Sequence, residues 1–283
     1  MNTLEANNLS LTYGKGTIIE GLNLAIPEGK VTVFIGSNGC GKSTLLRSMA
    51  RLLKPLGGEI VLDGKRITEL STKEVAKRLS ILPQGPIAPE GLTVFQLVKQ
   101  GRYPYQSWLK QWSDEDEQAV QHALRATKML ELAELPVDSL SGGQRQRAWI
   151  AMTLAQGTRV TLLDEPTTYL DMAHQIDILD LLFELNERER TTIVMVLHDL
   201  NLACRYAHHI VAIKGKTVYA QGKPEEIVNP GLIRDVFDMK CQVIADPFFG
   251  TPLCIPVGKG RSAAGRGNLT SPHPNENKEA VSV

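Results

Sequence analysis

The chain has 283 residues, 31 basic and 31 acidic side chains, a formal charge of +0 and a 42% hydrophobic composition. At about 150 residues per domain, that length supports one large domain or two smaller ones with a real core. It excludes a strongly basic nucleic-acid binder and a disordered or collagen-like chain, and no apolar run reaches the roughly 18 residues needed to span a membrane.

The opening MNTLEANNLS has no basic or apolar signal region. Cys40, Cys204, Cys241 and Cys254 form no metal spacing, which predicts free thiols in a reducing compartment. Leu4 to Tyr13 and Ile18 to Ile26 are apolar runs punctuated by Gly or Pro and predict strands of a β-rich segment. Val31 to Ile35 is continuous and β-branched, the pattern of a strand buried on both faces. A helix over 42–53 and a strand from Glu59 to Asp63 follow.

Residues 92–135 read as a mainly helical insertion, with a capped, acidic helix start at Ser113-Asp114-Glu115-Asp116. Beyond it come a helix over 142–156 and a buried strand from Val160 to Leu163. Ile178, Leu181, Leu182 and Leu185 mark another helix, and Ile193 to Leu197 another buried strand. Ile210 to Ile213 and Thr217 to Ala220 form a hairpin pattern. Residues 258–283 are rich in Gly, Ser, Asn and Pro without periodicity, which predicts a disordered tail.

Three places carry chemistry. Gly36-Ser37-Asn38-Gly39-Cys40-Gly41-Lys42-Ser43-Thr44 fits GxxxxGK[ST] between a strand and a helix. Small residues let backbone amides wrap phosphates, the helix N-terminus adds its dipole, Lys42 meets the β- and γ-phosphates and Ser43 offers a hydroxyl to Mg²⁺. Asp164 and Glu165 end an apolar strand, where a parallel sheet collects its ligands. Asp164 is expected at Mg²⁺ and Glu165 at the attacking water, with adjacent strand positions pointing opposite ways. His198 ends the next strand and is expected at the γ-phosphate, whereas His174, His208 and His209 read as surface or packing residues. Ser141-Gly142-Gly143-Gln144 before a helix is a second anion-binding turn, although one nucleotide needs only one cradle.

On these residues the chain resembles the nucleotide-binding subunits of ABC transporters. Leu140 to Gln144 match the LSGGQ signature, 36–44 Walker A, and 160–165 Walker B with its catalytic Glu165. Gln84 matches the Q-loop, Tyr13 the aromatic that stacks on adenine, Tyr169-Leu170-Asp171 the D-loop, and His198 the switch histidine. The resemblance implies an α/β fold: a P-loop NTPase core with a parallel sheet, an N-terminal antiparallel β subdomain and an inserted α-helical subdomain at about 86–157, all within 1–257. It implies ATP and Mg²⁺ as cofactors, with Ser43, Gln84 and Asp164 at the metal. It also implies a homodimer sandwiching two ATP molecules, with Ser141 and Gly143 of one copy on the γ-phosphate held by the other.

A finer resemblance, through 167–175, 196–203 and Gly101-Arg102-Tyr103-Pro104-Tyr105, is to ATPases of ferric-siderophore and cobalamin importers, the siderophore type matching best. Ser37 departs from a proline common there. This implies energising uptake of an iron(III)-siderophore, with cobalamin or haem as the alternative cargo. The partners implied are an integral membrane permease and, indirectly, a periplasmic or surface substrate-binding protein, at the cytoplasmic face of the bacterial plasma membrane. The Gln84 loop and the helical insertion are the expected docking surface, with Trp108 a candidate contact. Rival readings are a soluble ABC ATPase, a P-loop GTPase and a pure binding module. A GTPase needs Asn-Lys-x-Asp; the one Asn-Lys, Asn277-Lys278, is followed by Glu279 and Ala280.

Overall fold

The computed structural model describes residues 2–14, 16–107 and 112–259. The first two apolar runs are long antiparallel strands, β1 (Asn2–Tyr13) and β2 (Gly16–Pro27). With β4 (Gly57–Leu62) and β5 (Lys65–Arg66) they make a sheet in the order β2-β1-β4-β5. This is the antiparallel β layer expected from the resemblance.

The second sheet has the order β10-β9-β3-β8-β7-β6. Its strands are β3 (Val31–Ile35), β6 (Leu79–Leu82), β7 (Val160–Leu163), β8 (Thr192–Val196), β9 (His209–Lys214) and β10 (Thr217–Gly222). All pairings are parallel except the β9–β10 hairpin. Every residue of β3 and β8 is buried, as central parallel strands require. The period of two splits them between two cores. Val31, Val33 and Ile35 face one cluster, and Phe34 faces the other, which it shares with the β1–β2 layer.

Helix α1 (Lys42–Met49) follows β3 and stops short of the predicted Leu53, because Arg51 turns left-handed and Leu52 N–H returns to Arg47 O. A short α2 (Thr72–Ala76) precedes β6. Between β6 and β7 lie α3 (Val94–Lys99), a 3₁₀ segment at Gln100–Tyr105, α4 (Asp114–Ala126) and α5 (Gly142–Ala155). Ser113 caps α4 with Asp116 as the reciprocal partner, as the sequence predicts. Arg102 latches this region: it donates to Asp116 at 2.8 Å and to the Ala155 carbonyl at 2.9 Å, with both charged groups buried. Trp108 lies outside the described residues.

Helices α6 (Met172–Glu189) and α7 (Leu200–Tyr206) follow β7 and β8. After β10 come α8 (Pro224–Ile227), α9 (Pro230–Phe237) and a ribbon of β11 (Cys241–Ala245) and β12 (Pro252–Pro256). The ribbon is anchored on α7 by Asn201, which accepts Cys254 N–H at 2.7 Å and donates to Cys254 O at 3.2 Å. Most of the predicted tail, residues 260–283, lies outside the described residues. Among the described residues, no helix is long and apolar enough to cross a membrane.

Candidate functional site

Parallel strands point their carboxyl ends the same way, so the order β3-β8-β7-β6 brings four sequence segments to one edge. The loop 36–44 leaves β3, His198 follows β8, Asp164 and Glu165 follow β7, and Gln84 follows β6. Lys42, Ser43, Thr44, Gln84, Glu165 and His198 border a cleft of about 510 Å³.

The phosphate loop needs its glycines for space as well as conformation. Gly41 has φ of +104°, and a Cβ there would stand 2.6 Å from Ile18 Cγ2. A Cβ on Gly36 would stand 2.5 Å from the Ile213 carbonyl oxygen. Gly41 is also the N-cap of α1 and offers no capping side chain, so the first amides of the helix are left for an anion. Lys42 is buried, and its ammonium donates to the Gly36 and Ser37 carbonyls at 2.9 and 3.0 Å. Asn38, Gly39, Ser43 and Thr44 line the same cleft, and Cys40 Sγ lies 3.8 Å from Lys42 Nζ.

Glu165 is the junction of the site. Its carboxylate accepts from Gln84 Nε2 at 2.6 Å, from Thr168 Oγ1 at 3.0 Å and from His198 Nε2 at 2.7 Å. The expectation that strand pleating separates Asp164 from Glu165 is corrected here. β7 ends at Leu163, and Glu165 has a left-handed φ of +54°. A turn aims Glu165 into the cleft while Asp164 stays 1% exposed beneath it.

Both Asp164 carboxylate oxygens are buried without a hydrogen-bond partner among the described residues. The nearest charge is Arg47 Nη2, 3.4 Å from Oδ2. Arg47 was not singled out from the sequence, yet it sits one helical turn beyond Ser43 on α1. Thr168, three residues after Glu165, and Ile18 on β2 were likewise not anticipated.

Ser141, Gly142, Gly143 and Gln144 are not part of this cleft. Ser141 caps α5 by accepting Gln144 N–H at 3.3 Å, while Gln144 Oε1 accepts Ser141 N–H at 3.1 Å. Gly142 borders a neighbouring groove shared with Gln84, Glu165 and Tyr169. Asp171 caps α6, and His174 holds its carboxyl below the usual range, first through its backbone amide and then through its ring. Tyr13 ends β1, and the placement of its ring lies outside what the structure describes.

The ABC transporter family profile matches residues 19–168. The chain is 70% identical to the petrobactin import ATP-binding protein FpuD of Bacillus anthracis, covering 91% of this chain and 94% of that protein. It is 61% identical to the achromobactin transport ATP-binding protein CbrD of Dickeya dadantii, covering 92% and 96%. A bacterial ABC transporter cassette solved as a dimer is similar in structure, with a TM-score of 0.68 and 30% identity, over 78% of this chain and 98% of that one.

Proposed function

The chain belongs to the ABC transporter family of ATP-binding proteins, and we propose that two copies hydrolyse ATP to energise uptake of an iron(III)-siderophore complex through a separate membrane permease. The observation that carries the cargo is near-full-length similarity to ATP-binding proteins named for siderophore transport, petrobactin import and achromobactin transport. The two-copy arrangement is supported by the signature turn, whose Gly142 lines a groove beside the phosphate-loop cleft and not that cleft itself.

In this reading the amides of loop 36–44 and Lys42 grip the β- and γ-phosphates, and Ser141 and Gly143 of the partner close over the γ-phosphate. Glu165 accepts a proton from the attacking water, whose oxygen bonds to the γ-phosphorus. The bridging P–O bond breaks with its electron pair leaving on ADP. His198 and Gln84 hold the Glu165 carboxylate from either side. Tyr13 is assigned to the adenine, and Asp171 to the contact between copies.

Asp164 fits a divalent cation, because its two buried carboxylate oxygens have no hydrogen bond among the described residues and Arg47 meets only Oδ2, at 3.4 Å, leaving Oδ1 for a cation to offset. A single protein acid suits Mg²⁺, which takes most of its oxygens from phosphates and water. Asp164, Ser43 and Gln84 would hold it, and when bound it neutralises developing phosphate charge. The groove beside Gln84 and the helices α3 and α4 form the docking surface for the permease, placing the chain at the inner membrane face.

The test is purification of the chain with its permease, followed by uptake of labelled ferric petrobactin, cobalamin and haem into vesicles. Uptake of the ferric chelate alone supports the reading; uptake of cobalamin or haem instead overturns the cargo.

A further inference from the structure

The second glycine of the signature turn, Gly143, is not in the left-handed region, so its backbone does not demand glycine. Space demands it. A Cβ on Gly143 would stand 2.3 Å from His174 Cδ2, 3.0 Å from Cγ and 3.1 Å from Nε2. The imidazole of His174 therefore lies directly against the Gly143 Cα. The opposite edge of the same ring is engaged too: Nδ1 donates to Asp171 Oδ1 at 2.7 Å. That oxygen also accepts the His174 amide at 2.9 Å and caps α6. Beside it, Leu170 Cδ2 stands 3.6 Å from where a Cβ on Gly142 would be. The first turn of α6 is thus seated on the first turn of α5.

The His174 side chain is 44% exposed, so burial is not what the ring contributes. Its two contacts join Asp171, on the segment assigned to the contact between copies, to Gly143, on the turn assigned to the partner's γ-phosphate. A rigid ring with one hydrogen bond at Nδ1 and one close contact at Cδ2 fixes the distance between them. A flexible side chain would lose that constraint to rotamer entropy.

We propose that His174 is a positioning residue for ATP hydrolysis, clamping the Asp171 turn to the Ser141–Gly143 turn so that the two present one rigid surface to the second copy. This rests on the two-copy reading above. The ring touches neither phosphate nor water and acts through the two turns.

The experiment uses the full chain carrying Glu165→Gln, which holds ATP unhydrolysed. ATP-driven dimer formation is followed by light scattering for this parent and for His174→Ala, His174→Asn and His174→Gln placed in it. Binding of a fluorescent ADP to the monomer and melting temperature are read alongside. His174→Ala is expected to raise the ATP concentration for half-dimerisation about tenfold, with ADP affinity changed by less than about twofold. His174→Asn puts an amide donor where Nδ1 stood and is expected to recover to within about threefold of the parent. His174→Gln, whose amide reaches the Nε2 position instead, is expected to stay near the alanine variant. With Glu165 restored, His174→Ala raises the KM for ATP about tenfold with little change in kcat, because more ATP is needed to close the two copies.

A parent that dimerises alongside an unaltered His174→Ala overturns this inference alone. So does equal behaviour of the Asn and Gln variants, a comparison that stands even where the alanine variant fails to fold. A parent that stays monomeric with ATP overturns the two-copy reading, and this inference with it.

Discussion

His198 and Glu165, which follow two neighbouring parallel strands, meet across 2.7 Å between Nε2 and Oε1. Gln84, from the strand on the other side of β7, reaches the second carboxylate oxygen at 2.6 Å. The carboxylate is thus fixed by donors on both sides, leaving its accepting capacity as its chemical asset. Glu165→Gln keeps the shape and removes the proton acceptor. Phosphate release is expected to fall by about 10²- to 10⁴-fold while nucleotide is retained and a dimer accumulates. Turnover at the wild-type rate would remove Glu165 from the base role.

Ser141→Arg separates capping from closure. The native hydroxyl accepts Gln144 N–H, so losing it costs about 1 kcal/mol of helix stability. Ser141→Ala carries that cost alone. The arginine adds bulk and charge on a surface assigned to the partner's phosphate. Its expected result is blocked hydrolysis with undiminished binding of fluorescent ATP to the phosphate loop. Normal phosphate release by Ser141→Arg would break the two-copy arrangement.

Legibility in the sequence followed local pattern. β3, β7 and β8 are continuous apolar runs and were readable, as was the loop 36–44, whose chemistry demands fixed residue types at fixed spacing. β6 was not readable, since four residues interrupted by buried Ser80 give no periodic signal. Ser80 is held there by a bond between hydroxyls, 3.1 Å to Thr161 on the next strand, a contact spanning 81 positions. α7 and α9 have only 7 and 8 residues, too few to repeat an apolar face. The left-handed turn at Glu165 defies residue preference, because the packing around the site imposes it. His174 read as a surface residue because its partner Gly143 lies in another segment.

Lys42→Ala tests the grip on phosphate directly. Lys42 is 5% exposed and bonds to two carbonyls of its own loop, so its ammonium is already held at the site. A hydrogen bond to a charged group contributes about 1.5–3 kcal/mol, which sets the expected loss of ATP affinity at about 10- to 150-fold. Titration with fluorescent ATP measures it. Comparable affinity in the variant would leave phosphate binding to the backbone amides alone.

His208 makes the fold sensitive to acid. Its Nδ1 accepts Val31 N–H at 3.2 Å, and its ring stacks on Phe183 with centroids 5.6 Å apart. Burial pushes its pKa below the ordinary 6.5, with Lys30 and Arg190 acting in the same direction and Glu187 opposing them. His209 is pushed the same way, again first by burial. The unfolded chain therefore takes up protons near pH 6.5 that the folded chain refuses, so stability is full above that pH and falls as pH drops toward the folded values. Protonated Nδ1 also cannot accept from Val31, which loosens β9 from β3. His208→Asn retains an acceptor near Nδ1 and does not titrate. Its melting temperature is expected to be lower at pH 8, because the ring stack is gone, yet to decline less steeply as pH falls below 6.5. The slope that remains belongs to His209 and the carboxylates. An unchanged slope in His208→Asn would show that His208 does not carry the acid sensitivity.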